Sequence, residues 1–242
     1  MLRFQKPPAA MIEFGHGTHV GLRRAHNEDT YYADAALGLF LVADGMGGHQ
    51  HGEVAAAIAR DTMAERVAQG HALAEAVREA NQRLLEENRD CVALPMGTTL
   101  VALRLLGEAY EAVWVGDSRA YRWRRELRRI SHDHSLVEEL VASGRLDPAQ
   151  AARHPQRNVL TQALGVTRQE QLHIGMARGR IEPGAGFLLC SDGLNESLDD
   201  EAIARVLARG ELAAQECVDH LLLAALEGSA SDNITAVLVR IS

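Results

Sequence analysis

Three apolar runs in this chain stop at an aspartate, and a fourth starts from one. LFLVAD ends at Asp44, AVWVGD at Asp117 and GFLLCSD at Asp192, while DNITAVLVRI opens at Asp232. Runs this short and this continuously apolar read as strands covered on both faces, which places a sheet inside a layered structure rather than at its surface. One Asp-Gly after a strand is an ordinary turn. Four strand-end carboxylates are more than turn chemistry requires, and if those strand ends meet, the carboxylates converge. Like charges in a poorly solvated place must take up protons or bind cations, and oxygen-only donors select hard ions such as magnesium or manganese. This number of carboxylates suits two ions better than one.

Between these runs the periodicity changes several times. Residues 11–21 read as a first strand and 39–43 as a second. Helices are expected over 53–69, which is rich in alanine, and over 71–90, where Leu73, Val77, Ala80 and Leu84 repeat at helical spacing. Residues 98–106, 110–115, 120–123 and 127–130 then read as short strands of an antiparallel meander, with turns at 107–108 and 124–126. From 133 to 182 the pattern loosens around SGRLDPAQAARHPQRN, as expected of a partly mobile insertion holding two short helices. A strand at 187–190, helices at 198–208 and 211–227 with an N-cap within 197–200, and a buried strand at 234–241 complete the chain. The alternation implies an α+β architecture with sheets at the centre and helices outside.

With 242 residues, 47% of them hydrophobic, the chain is long enough for one large core, and a single domain over 1–242 is expected. A net charge of −8 argues against nucleic acid or an anionic membrane surface as the main partner. The N-terminal MLRFQKPPAAMIEF has two prolines where a signal peptide needs an apolar stretch, and no apolar run approaches the ~20 residues that span a bilayer. Cys91, Cys190 and Cys217 are odd in number and lack a CxxC spacing, so reduced thiols and a cytoplasmic protein are expected.

The glycines of DGMGGHQHGE let a backbone carbonyl turn toward a cation and leave room for a substrate. As a phosphate-cradling loop the stretch lacks the lysine and following Ser/Thr of a P-loop. The histidine pairs His49/His51 and His132/His134 offer no third nitrogen or sulfur donor for zinc.

Eight blocks, in order, carry a resemblance over nearly the whole chain: RAHNED, ADGMGGHQHGE, GTTLVAL, VGDSRAYRW, SHDHSLVEELVASG, HPQRNVLTQALG, LLCSDGL and SDNITAV. Together they resemble the bacterial metal-dependent protein phosphatases of type 2C. The resemblance implies a four-layer α-β-β-α sandwich, two central antiparallel sheets flanked by helices, with the metal ions at one end and residues 133–182 as a flap beside them. It implies that Asp44 bridges two ions, manganese or magnesium. The carbonyl of Gly45 and, through water, Glu28 would serve one of them, and Asp192 and Asp232 the other. A third, more weakly held ion is implied at Asp117 with help from Asp192. Arg24 matches the arginine that grips the phosphate, for which a planar guanidinium is suited.

The implied reaction is hydrolysis of phosphoserine and phosphothreonine in proteins by water activated between the two ions, without a covalent enzyme intermediate. No cysteine sits in a Cys-x5-Arg loop, which agrees with that. Two positions depart from the pattern. Met46 stands where eukaryotic members carry a candidate general acid, so the leaving-group proton is expected from metal-held water, with His49 as the alternative. His19 stands where many bacterial members carry aspartate, next to the path of Arg24. The rival readings are a pseudo-phosphatase that keeps the fold as a binding module, and a partner-switching phosphatase, which usually carries sensor domains. The implied partners are phosphorylated proteins, among them a cognate Ser/Thr kinase and its targets, and the implied state is a monomer.

Overall fold

The computed structural model describes residues 11–47, 51–90, 95–151, 153–228 and 230–242. The chain begins β1 (Ile12–His19), β2 (Asp29–Asp34), β3 (Leu39–Met46), α1 (His51–Ala68), α2 (Leu73–Glu87), β4 (Gly97–Thr98), β5 (Leu100–Leu106) and β6 (Ala109–Val115). It continues β7 (Arg119–Trp123), β8 (Leu127–Arg129), α3 (Leu136–Ala142), α4 (Pro148–Ala151), β9 (Gly175–Arg180) and β10 (Gly186–Cys190). It closes with α5 (Asp192–Ser197), α6 (Asp200–Leu207), α7 (Ala214–Glu227) and β11 (Ile234–Ile241). One sheet has the order β1-β11-β10-β7-β8 and the other β2-β3-β5-β6-β9, with β4 pairing β3. All the pairings are antiparallel.

Side-chain parity assigns each strand residue to a layer. In β3, Phe40 and Val42 enter the space between the sheets, where they meet Val101, Leu103, Trp114, Phe187, Leu189, Val237 and Val239. Leu39, Leu41 and Ala43 point the other way and pack under α1 and α2 against Ala55, Ala59, Met63 and Leu84. Both faces of β3 are thus covered, which is why its sequence is apolar without alternation. On the far side Leu188, Cys190, Ala236 and Leu238 pack under α6 and α7 against Ile203, Val218 and Leu221. Four layers result, α-β-β-α, as the resemblance implied.

Four local expectations change. The strand β2, DTYYAD, lies between the first two strands expected from the sequence and was not anticipated. The four central strands are not one meander: β5 and β6 pair in one sheet, β7 and β8 in the other. The crossing occurs at Gly116, whose φ of 99° favours glycine and whose position would set a Cβ 2.7 Å from Thr99 Cβ. Residues 175–180, expected in the loose insertion, form β9 and close one sheet edge. The helix expected from 198 is preceded by α5, which Asp192 opens. The expected N-cap is Asp199, whose Oδ1 accepts from Ala202 N at 2.7 Å.

Candidate functional site

The inter-sheet layer keeps its parity to its end, and its chemistry changes there. Phe40 and Val42 face the layer, so two residues on Asp44 does too; Tyr31 and Ala33 face it, so Asp29 does, and the strand register sets Asp29 opposite Asp44. The same count places Thr99 below Val101, Ser191 beyond Leu189 and Thr235 before Val237. Ser191 Oγ donates to Asp29 Oδ2 at 2.7 Å and accepts from Thr235 N at 2.9 Å. Asp44 N donates to Thr99 Oγ1 at 3.1 Å, and the hydroxyls of Thr99 and Ser118 lie 2.7 Å apart. The Asp44 carbonyl accepts from Thr99 N at 2.8 Å and Thr98 Oγ1 at 2.9 Å, so both threonines do more than the packing their strand position suggests.

Asn233 ties the loop before β2 to this end. Its Oδ1 accepts from Glu28 N at 2.8 Å, and its Nδ2 donates to the carbonyls of Val20 and His26 at 2.8 and 2.9 Å. The loop turns at Gly21, φ 78°, where a Cβ would stand 2.1 Å from the Asp232 carbonyl. His19 Nδ1 accepts from Gly21 N at 3.0 Å, so the departure at His19 acts on the turn that leads to Arg24. Arg24 Nη2 then meets Asp232 Oδ2 at 2.6 Å, and the arginine remains more than half exposed. Beside it, a Cβ at Gly45 would lie 2.0 Å from Gly52 O, and a Cβ at Gly52 would lie 2.7 Å from Glu28 Cδ. Glycine at both positions is what lets the Glu28 carboxylate and the Gly45 backbone share this notch.

Asp117, between β6 and β7, and Asp192 line a cleft of about 490 Å³ whose wall includes Arg157 and Asn158 of the insertion. Arg119 grips Asp133 with both Nε and Nη2, the shortest contact 2.7 Å, which fixes the start of that insertion. Burial, reinforced by neighbouring carboxylates, holds Asp44 and Asp192 well above the ordinary range for aspartate. Burial also pushes Asp29 up to about 6, and burial with the charge of Asp133 pushes Asp117 up to about 7. Arg24 is shifted up, chiefly by its hydrogen bond to Asp232.

The structure therefore brings Arg24, Glu28, Asp44, Gly45, Asp117, Asp192 and Asp232 to one end of the sandwich. It adds Asp29, which sequence reasoning left out of the site, although the alternation Asp29, Tyr31, Ala33 carries the signal. His49 lies outside the described residues, and His51 opens α1. His132 is exposed, while His134 packs edge-on to His173 at 5.4 Å. Among the described residues no three Asp, Glu, His or Cys side chains already close around one point, so this is a carboxylate cluster and not a finished cage. The donor set still fits hard divalent ions: it is all oxygen, and Asp29 Oδ1 and Asp192 Oδ1 are buried with no hydrogen-bond partner among the described residues.

Comparison with known proteins agrees with this fold. A profile described as protein phosphatase 2C matches residues 17–227. The serine/threonine protein phosphatase PstP of Mycobacterium tuberculosis is 40% identical over 228 residues, 90% of this chain and 42% of that protein, so the chain spans about two fifths of that relative's length. The protein phosphatase PhpP of Streptococcus pneumoniae is 32% identical over 235 residues, 92% of this chain and 94% of that one. The crystal structure of the catalytic domain of PstP in complex with two manganese ions superposes with a TM-score of 0.85 at 32% identity, covering 96% of this chain and 99% of that one.

Proposed function

The chain belongs to the protein phosphatase 2C family, and on that premise we propose that it is a metal-dependent protein serine/threonine phosphatase. The observation that carries the proposal is the buried carboxylate end of the inter-sheet layer, where Asp44 feels Asp29, Asp192, Asp117 and Asp232. Burial and mutual repulsion disfavour the charged form of such a cluster, and bound cations favour it. In this reading Asp44, the Gly45 carbonyl and Glu28 hold one ion, Asp44 with Asp192 and Asp232 a second, and Asp117 with Asp192 a weaker third. Manganese or magnesium, when bound, supplies the charge that lets water ionise near neutral pH and that offsets charge on the phosphoryl group.

The remaining chemistry falls to the chain's own residues. Arg24 presents a planar guanidinium at the solvent side of the cluster, where it can hold two phosphate oxygens of a phosphoserine or phosphothreonine. Asn233 and Gly21 fix the approach of that arginine, so a longer or shorter loop would misplace it. Ser191 keeps one oxygen of Asp29 engaged and leaves the other, buried and without a hydrogen-bond partner among the described residues, available to a cation. Residues 133–174 form the flap that walls the cleft, and the described chain acts as one catalytic domain. Phosphoproteins are the substrates, with a cognate Ser/Thr kinase and its targets as the physiological set.

The test is phosphate release from a phosphothreonine peptide with and without manganese, alongside Asp44→Asn. Manganese-dependent turnover that the substitution abolishes supports the reading. A folded wild type that binds manganese by calorimetry yet releases no phosphate overturns it in favour of a binding module.

A further inference from the structure

The strands that bear the aspartates at one end of their sheet bear a different surface at the other. There the end of β7, the start of β10 and the end of β11 border a groove of about 690 Å³, larger than the cleft at the carboxylates. Its floor is concave because side chains are missing from it: Gly184, Gly186 and Gly210 all line it. Gly186 pairs with Trp123, and a Cβ there would make only ordinary contacts, with Val239 O at 3.4 Å and with Trp123 Cβ and Cδ1 at 3.7 and 3.8 Å. The half-buried Trp123 forms an apolar side wall.

The rim is basic. The β7–β8 hairpin reads RWRRELRR, residues 122–129, with five arginines and one acid. Arg122 and Arg124 share the single carboxylate of Glu182, at 2.7 and 2.5 Å. Arg128 pairs with Glu126 and Arg129 turns to Glu138. Among the described residues no carboxylate pairs with Arg125, which is exposed and lines the groove beside Arg124. Arg240 faces inward, donating to the Leu212 carbonyl at 2.5 Å, and Glu13 is turned to Ala214 N at 2.6 Å. A local excess of positive charge thus stands over an apolar hollow in a chain of net charge −8.

We propose that this groove docks an acidic linear segment of a partner protein, with a bulky apolar side chain seated on the glycine floor beside Trp123 and carboxylates against Arg124 and Arg125. Charge complementarity selects the occupant. The chain's own residues 1–10 include Arg3 and Lys6 and no acid, so they do not match the rim. A nucleic acid or an anionic membrane could meet the arginines but presents no bulky apolar side chain to fill the hollow beside Trp123. β11 has 8 residues and joins the two ends, so the groove lies roughly 25 Å from Asp232 at about 3.3 Å per residue. A phosphoprotein could hold both ends at once with a spacer of roughly ten residues, which raises its effective concentration at the carboxylates.

Fluorescence polarisation of a labelled, end-capped peptide of glutamates and aspartates around a Leu-Phe pair tests this without any need for turnover. Two variants probe rim and floor: Arg124→Glu with Arg125→Glu, and Gly210→Trp, a position where a Cβ meets nothing within 4 Å. The expected result is salt-sensitive binding, weakened at least about tenfold by each variant and by loss of the Leu-Phe pair, with melting temperatures unchanged. Turnover of a short phosphothreonine peptide without the acidic segment should be the same in both variants. No binding at low salt, or equal binding to wild type and variants, overturns the proposal. So does binding of a phosphatidylserine vesicle or a DNA duplex that follows the arginines while the peptide does not bind.

Discussion

The space between the sheets is one layer with two chemistries. Along most of its depth Phe40, Val101, Phe187, Leu189 and Val239 fill it with hydrocarbon, all of them inaccessible to solvent. Two residues further along each strand it holds Asp29, Asp44, Thr99, Ser191 and Thr235, in the same parity and nearly as buried, save Asp44 with its half-buried residue surface. Backbone geometry does not separate the two parts; side-chain identity does. The apolar part needs nothing beyond itself, since close packing and removal from water stabilise it. The polar part holds carboxylates whose charged forms are disfavoured by burial and by one another, and it is stable as an ionised set only with countercharge. The difference teaches where this protein separates stability from chemistry: within a single layer, between one inward-facing residue of each strand and the next.

Asp44→Asn should break the comparison most sharply at the polar end. Turnover is expected to fall on the order of a thousandfold, the scale of losing several kcal/mol of charge stabilisation at the phosphoryl group. The metal-free protein should melt no lower than wild type, because the substitution removes a buried like charge, and scanning calorimetry with chelator checks this. Phe187→Ala is the counterpart in the apolar part. Phe187 is fully buried and its ring centroid lies 4.7 Å from that of Tyr110. Truncation should cost about 3–5 kcal/mol of unfolding free energy, read by urea titration, while kcat of the protein that remains folded stays near wild type.

Thr99→Val sharpens the boundary itself. The swap keeps the volume but strands Asp44 N and the Ser118 hydroxyl, both of which now rely on Thr99 Oγ1. A loss of about 1–3 kcal/mol is expected from these unsatisfied groups, with a fall in turnover because Asp44 loses the bond that fixes its backbone. If stability falls and turnover does not, Asp44 is positioned by other contacts.

Much of this was legible in the sequence because the deciding signals are local. A strand covered on both faces shows as an unbroken apolar run, and a strand end that must carry a carboxylate shows as Asp44, Asp117 or Asp192 at the end of such a run. The gathering of those ends was not local, and it came from the resemblance, not from spacing. Asp29 was missed for a different reason. Its strand, DTYYAD, is short and ends in polar residues, so its alternation is readable only once Tyr31 and Ala33 are known to face the layer. The division of β5 to β8 between two sheets was likewise hidden, since a turn at Gly107 and a crossing at Gly116 look alike in sequence. The groove behind the arginine hairpin depends on three glycines that only the fold brings together.

The smallest expected effect concerns the insertion's first residues and asks whether the acidic end owns all of the pH dependence near it. His134 is held down to about 4 by burial, with the neighbouring His173 adding to the shift, and its Nδ1 accepts from Gly116 N at 3.3 Å. Below about 4 the ring is protonated in both folded and unfolded chains, and above its ordinary 6.5 it is neutral in both. Between those values the unfolded chain binds the proton and the folded one does not, so stability falls as pH drops from about 6.5 to about 4. His134→Asn, which keeps an acceptor for Gly116 N, should flatten that part of the stability profile measured by urea titration at successive pH values. A profile that keeps its full slope in the variant would assign the fall to other groups, and not to the carboxylate end, whose raised aspartates bind protons more tightly in the folded chain and so favour it as pH drops.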